Sequence, residues 1–192
     1  MHVPVLLNEI IENLNIKEDG IYVDCTLGVG GSSKEILKRL SEKGLLIGID
    51  QDEEILNQAK ENLKDFKNVL FFNENYTSLP EILKKANIEK ITGGVLLDLG
   101  VNSLHFDIKE RGFSFQNEAP LDMRMDNRSE LTAYDIINHY REEEIADIIY
   151  KYGEERFSRR IARKIVETRK KTKSIKTTRH RIYYSFLYYL FL

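Results

Sequence analysis

The sequence predicts a doubly wound α/β fold, an open parallel sheet with a helical subdomain attached, and three observations carry that prediction. Four short apolar runs, I-Y-V-D, L-L-I-G-I-D, V-L-F-F and G-V-L-L-D-L-G, lie between Ile21 and Gly100. Each has the length and composition of a strand buried on both faces. The segments between them carry apolar residues at helical spacing, so strand and helix alternate as in right-handed crossovers. The first run closes on Gly28, Gly30 and Gly31, where a backbone turns tightly or lets a ligand approach.

In chain order, the spacing of Leu6, Leu7, Ile10, Ile11 and Leu14 predicts a helix over 5–14. The first strand starts at Ile21, and its glycine turn leads into a helix that Ser32 or Ser33 can cap, running to Leu40. The second strand, Leu45 to Asp50, ends on an acid. A helix over 53–66 presents Ile55, Leu56, Ala59 and Leu63 on one face. Val69 to Phe72 is the third strand, and a helix over 79–86 tolerates Pro80 in its first turn. The fourth strand runs from Gly94 to Gly100. From Asn102 to Asp126 no period is visible, and such long aperiodic stretches are often functional. Helical spacing resumes at Thr132–Ile137, at Glu142–Tyr152 and from Glu154 to about Lys170, which places a domain boundary near residue 105.

A chain of 192 residues with 42% hydrophobic and 31% charged residues suits one globular domain with a small appendage. Its single cysteine, Cys25, excludes an internal disulfide framework and a cysteine metal cluster, and the four histidines suggest no metal site. The start M-H-V-P-V-L-L-N-E lacks a basic leader, so the expected location is the cytoplasm. The net charge of −2 conceals an asymmetry. Arg156 to Arg181 holds 12 Lys and Arg against one acid, Glu167, which leaves the rest of the chain strongly acidic. Arg156, Arg159, Arg160, Arg163 and Lys164 recur at helical spacing, with Phe157, Ile161 and Ile165 turned to the core. That face is either a solvated helix surface or a contact for a polyanion such as RNA.

At the carboxyl ends of the predicted strands stand three residues with two readings each. Asp50 can hold the hydroxyls of a ribose, or cap the following helix, a task Asp52 could equally perform. Tyr76 can pack on an adenine, or be a plain core aromatic. Asp98 can face a ligand, or cap loop amides. The spacing D-x-x-x-G-x-G-G, from Asp24 to Gly31, is not the G-x-G-x-x-G of a dinucleotide site.

Taken together, H-V-P-V-L-L-N-E, Y-V-D-C-T-L-G-V-G-G, I-G-I-D-Q-D, G-V-L-L-D-L-G-V, E-R-G-F-S-F, P-L-D-M-R-M-D and Y-G-E-E-R-F-S-R-R-I-A form an ordered series from His2 to Ala162. The series resembles the ribosomal RNA small subunit methyltransferase H family, and the resemblance extends to about Thr178. It implies a Rossmann-like S-adenosylmethionine-dependent methyltransferase sheet, here partial, interrupted by an inserted all-helical subdomain. It implies methylation of N4 of a cytosine in the decoding region of 16S rRNA, with S-adenosyl-L-methionine as cofactor and the small ribosomal subunit as partner, and neither metal nor membrane. Carried over residue by residue, the family's cofactor contacts fall on Gly30, Gly31, Ser32, Asp50, Tyr76, Asp98 and His105. Ser32 stands where the family has histidine, Asn102 where it has serine, Leu104 where it has proline, and His105 where it has glutamine.

The methyl donor is already activated, so the site must bring the cytosine amine in line with it. An acceptor beside the amine N–H groups would help, and the candidates are Asp98 and Asn102. The target base must be unstacked to enter. The implied domain plan is 1–105 for the cofactor, 106–178 as loop and helical insert for RNA recognition, and an off-pattern tail at 179–192. The last 11 residues are apolar or aromatic except Ser185, too short to span a bilayer at about 20 residues. The family's returning strands are missing, so a truncated or frameshifted product is expected. The alternative function is accordingly a catalytically inactive remnant with at most weak S-adenosylmethionine or RNA binding. A nicotinamide-dependent oxidoreductase is disfavoured by the glycine spacing.

Overall fold

The computed structural model describes residues 6–114 and 118–172. Phe115 of the E-R-G-F-S-F motif, the residues before Leu6, Lys173, Lys176, the S-I-K-T-T stretch and the tail at 179–192 lie outside the described residues. The chain divides into two compact units, Met1–Leu99 and Gly100–Leu192.

The first unit is built on four strands, β1 (Ile21–Asp24), β2 (Leu45–Ile49), β3 (Val69–Phe72) and β4 (Gly94–Leu96). They lie in the order β3-β2-β1-β4, and every pairing is parallel. The helices are α1 (Leu7–Leu14), α2 (Gly31–Leu37), α3 (Glu53–Asn62) and α4 (Leu79–Lys85). The strand period of two divides the core. Tyr22 and Leu46 pack with Ile36, Leu37, Leu56, Ala59 and Leu63 on one face, while Val23, Ile47 and Ile49 meet Ile82 on the other. This is the doubly wound arrangement that the alternating pattern predicts.

Several element ends differ from the sequence expectation. β4 stops at Leu96 rather than Gly100, because its ladder partner β1 ends at Asp24, opposite Leu96, and turns away. α2 starts at Gly31 with Gly30 as its cap in the left-handed region (φ 84), and no serine side chain caps it. It ends at Leu37, followed by a turn to Leu40. α3 ends at Asn62, short of Phe66.

The regular elements described in the second unit are helical: α5 (Ser103–Asp107), a 3-10 turn at Lys109–Arg111, α6 (Ala133–His139), α7 (Glu142–Gly153) and α8 (Ser158–Thr172). Their core gathers Phe113, Met123, Ile136, Ile137, Ile145, Ile149, Ala162 and Ile165. The aperiodic stretch therefore contains helical turns too short to show a period. Buried Arg111 organises the loop ahead of α6, its Nη2 donating to the carbonyls of Arg124 (2.8 Å) and Met125 (3.0 Å). Arg124 forks onto Asp122, at 2.9 Å from Nε and 2.7 Å from Nη2. Thr132 and Asp135 form a reciprocal cap at the start of α6. α8 begins at Ser158 rather than Glu154, since Glu154 takes the left-handed conformation that ends α7 (φ 50). Arg169 of α8 donates to the Ile137 carbonyl at the end of α6 (2.8 Å).

Candidate cofactor site at the sheet edge

The carboxyl ends of β1, β2 and β4 bring together the glycine turn and three carboxylates. Asp24, the last residue of β1, is buried and points back under the turn. Its Oδ2 accepts from the Ser33 hydroxyl (2.6 Å) and its Oδ1 from the Thr26 N–H (3.2 Å). Burial pushes its carboxyl up to about 6, against the pull of the Ser33 and Thr26 hydrogen bonds, and the charges of Asp50 and Asp98 push it further the same way. That mutual influence places all three acids within electrostatic reach of one another. The neighbouring Cys25 thiol is also pushed up, by burial and then by the Asp24 charge, which keeps it an unreactive thiol.

Asp50 is tied to the turn directly. Its Oδ2 accepts from the Gly28 N–H (2.8 Å) and its Oδ1 from the Asp52 N–H (2.9 Å). Capping of α3 falls to Asp52, whose Oδ1 accepts from Glu54 N and Ile55 N (3.0 and 3.3 Å). The two readings of Asp50 therefore separate: the cap is its neighbour, and Asp50 is held half-buried at the lip of the turn. Asp98 is exposed, and its N–H donates to the Thr26 hydroxyl (2.7 Å), which anchors the start of the post-β4 loop to the turn.

Gly30 and Gly31 form the junction into α2. Gly30 needs φ +84, and a Cβ there would lie 2.9 Å from Leu63 Cδ1, so the turn seats directly on α3. Asn62 adds a tether, donating to the Val29 carbonyl (2.9 Å). Ser32 is half-buried in the first turn of α2. Tyr76 follows β3 in a 3-10 turn (Tyr76–Ser78) and packs partly buried against the cluster of Val23, Ile47 and Ile49.

His105 and Asn102 belong to the second unit and cap α5 together. The Asn102 side chain accepts from Leu104 N (3.0 Å), and His105 Nδ1 accepts from the Asn102 N–H (3.1 Å). The His105 ring is 4% exposed and stacks on Phe113 with centroids 4.8 Å apart.

Sequence reasoning misses three side chains that shape the first unit's edge, Thr26, Asn62 and Asn73, and gives a fourth, Ser33, the task of a cap where it bonds Asp24 instead. Asn73 donates to the Asp50 and Gln51 carbonyls (3.0 and 3.1 Å) and so fixes the backbone beneath the acid. Their one sequence signal is a hydroxyl or amide close to a strand or helix end, which is too common to single out.

Arg156, ahead of α8, and Arg159, Arg160, Arg163 and Lys164 along it are all exposed, and Arg163 reaches Glu142 of α7 (3.4 Å). Ile165 is buried as expected, but Phe157 is 50% exposed, which corrects its assignment to the core. It stands immediately before Ser158, the first residue of α8, and its carbonyl accepts from the Ile161 N–H (3.0 Å), the position of a cap rather than of a helical residue. Among the described residues no His/Cys/Asp/Glu cluster could hold a metal, and no helix is long and apolar enough to cross a membrane.

Residues 1–182 match the MraW methylase family. A ribosomal RNA small subunit methyltransferase H of Clostridium botulinum is 56% identical over 168 residues, covering 88% of this chain and 54% of that protein. The protein of the same name from Thermosipho africanus is 52% identical, over 88% of this chain and 57% of the other. The chain thus spans about half the length of the curated relatives it matches. Among solved structures, NSun6 from Pyrococcus horikoshii with SFG aligns at 27% identity and a TM-score of 0.41, over 53% of this chain and 26% of that one.

Proposed function

The chain belongs to the MraW methylase family, and from that premise we propose that it is an S-adenosylmethionine-dependent methyltransferase acting on N4 of a cytosine in the decoding region of 16S rRNA. The observation that carries the cofactor is the sign of the sheet edge. Asp24, Asp50 and Asp98 meet at the glycine turn, and such a site favours a ligand that is cationic at its centre over one carrying a pyrophosphate. S-adenosylmethionine has that character, with a sulfonium and an ammonium group. When bound it supplies a methyl group already activated for displacement.

The chain's own residues bind and position. Asp50, fixed by two backbone N–H groups, accepts from the ribose hydroxyls. Gly30 and Gly31 let the turn lie close to the ligand, and Ser32 lines it. Tyr76 packs on the adenine face from the 3-10 turn after β3. Asp98 and Asn102 are the candidate acceptors for the amine N–H groups of the cytosine, and His105 completes the set carried over from the family. In this reading residues 1–105 hold the cofactor and 106–178 meet the rRNA of the small ribosomal subunit in the cytoplasm. The exposed Arg156, Arg159, Arg160, Arg163 and Lys164 contact its phosphates.

Two measurements test it. Tritiated methyl groups should pass from S-adenosylmethionine to small ribosomal subunits lacking the modification. No transfer by soluble, folded chain overturns the enzymatic reading and leaves the remnant one. Separately, S-adenosylmethionine should raise the melting temperature, and Asp50→Ala should abolish that rise. An unchanged rise in the variant would remove Asp50 from the ligand.

A further inference from the structure

The turn between α7 and α8 holds two acids, Glu154 and Glu155 (Glu155 Oε1 accepts from the Phe157 N–H, 2.7 Å), and exposes aromatic rings where the cationic face of α8 begins. Phe157 is 50% exposed and Tyr152, in the last turn of α7, is 53% exposed. The Arg156 guanidinium lies over the Phe157 ring, 4.7 Å from its centroid, so one ring face is engaged by a cation. Arg160 and Lys164 lie four residues apart on one face of α8, and Phe157 stands immediately before the first turn of that helix. Arg159 and Arg163 lie beside it, and Arg163 also reaches Glu142.

Cations alone would serve any polyanion. Cations combined with an exposed ring match a chain that has both phosphates and flat bases presented outside a duplex. We propose that Phe157, backed by Arg156, is a stacking platform for an unpaired base of single-stranded RNA, with Arg160 and Lys164 on the flanking phosphates and Tyr152 as a second ring beside the same turn. The partner is single-stranded RNA, chosen over a protein because a continuous row of cations runs from the ring along the helix. The inference rests on the RNA-directed function proposed for this chain, and it adds that this surface prefers unstacked to paired nucleotides.

The test uses the full chain and two labelled probes of equal charge, followed by fluorescence anisotropy. One is a single-stranded oligoribonucleotide of about 10 nucleotides, the other an abasic ribose-phosphate strand of the same length. The base-bearing strand should bind more tightly. Phe157→Ala should weaken it about 5- to 10-fold while leaving the abasic strand and the salt dependence unchanged. Phe157→Trp should restore the affinity. Arg160→Ala should weaken both probes and lower the salt slope by about one. If Phe157→Ala binds both strands as the parent does, stacking is overturned while the RNA reading stands, and the ring is left to a protein contact. If the parent binds neither strand at low salt, the RNA reading fails with it. Because Phe157 is half outside the core, an unchanged circular dichroism melt should accompany the variant.

Discussion

Asp24 is the residue on which the chemistry of the sheet edge turns, because it is charged at a place that disfavours charge. A carboxyl whose pKa is raised on folding gives its full contribution to stability while protonated. That contribution is present below about pH 4 and is lost as pH rises through about 6. The parent therefore carries a penalty of about 3 kcal/mol at neutral pH. Asp24→Asn removes the charge and can still accept from Thr26 N–H and pair with Ser33. Its melting temperature should exceed the parent's at pH 7.5, and the gap should close as pH falls toward 4. Asp122 and Asp135 are held below the usual carboxylate range, each with a hydrogen bond among the causes, and titrate the opposite way. Both are intact in the variant, so they cancel in the comparison. The same substitution should weaken S-adenosylmethionine binding, measured by calorimetry, because it removes one of the three negative charges gathered beneath and around the glycine turn. A variant no more stable at pH 7.5 than at pH 4, relative to the parent, would place the Asp24 charge in a solvated setting. The acid itself is visible in the sequence. Its pairing with the Ser33 hydroxyl and the Thr26 N–H is not, because those contacts leave no periodic trace.

The glycine turn joins strand to helix and depends on the packing beneath it. Gly30→Ala would force a Cβ into Leu63 at φ +84 and should cost about 1–3 kcal/mol in chemical denaturation. Shortening Leu63 in the same chain relieves the contact and not the backbone strain, so the double variant should show no full recovery. A neutral Gly30→Ala would mean that the turn can move off α3. Elements of this kind are legible where burial is two-sided: all four strands follow from apolar runs, and parallel order follows from the helices between them. Ends are legible only where a side chain caps. Asp52 can be read as a cap, whereas Gly30 caps by backbone conformation and Ser33 is diverted to Asp24. Phe157 shows the same limit. Spacing assigns it to the core with Ile161 and Ile165, but it precedes the helix and escapes its period.

At the scale of the whole chain the exposed feature is the outer edge of β4. Among the described residues β4 pairs with β1 alone, so its other edge offers a row of unpaired backbone groups. Val95, Leu97 and Leu99 beside it are 48%, 47% and 56% exposed. The opposite face is also thinly covered: Leu96 lines an apolar groove of about 330 Å³ with Leu6, Ile10 and Leu14 of the α1 region. An exposed, apolar, uncharged edge recruits further strands from other copies. The chain should therefore self-associate as its concentration rises, measured by light scattering on a sizing column. Val95 and Leu97 lie two residues apart, on one side of the strand line, so Val95→Lys with Leu97→Lys sets two charges where a pairing strand would approach. That variant should shift the onset of association about 10-fold higher in concentration. Equal association by parent and variant would assign the contact to another surface. A parent that stays monomeric throughout would mean that the edge is already covered within the chain.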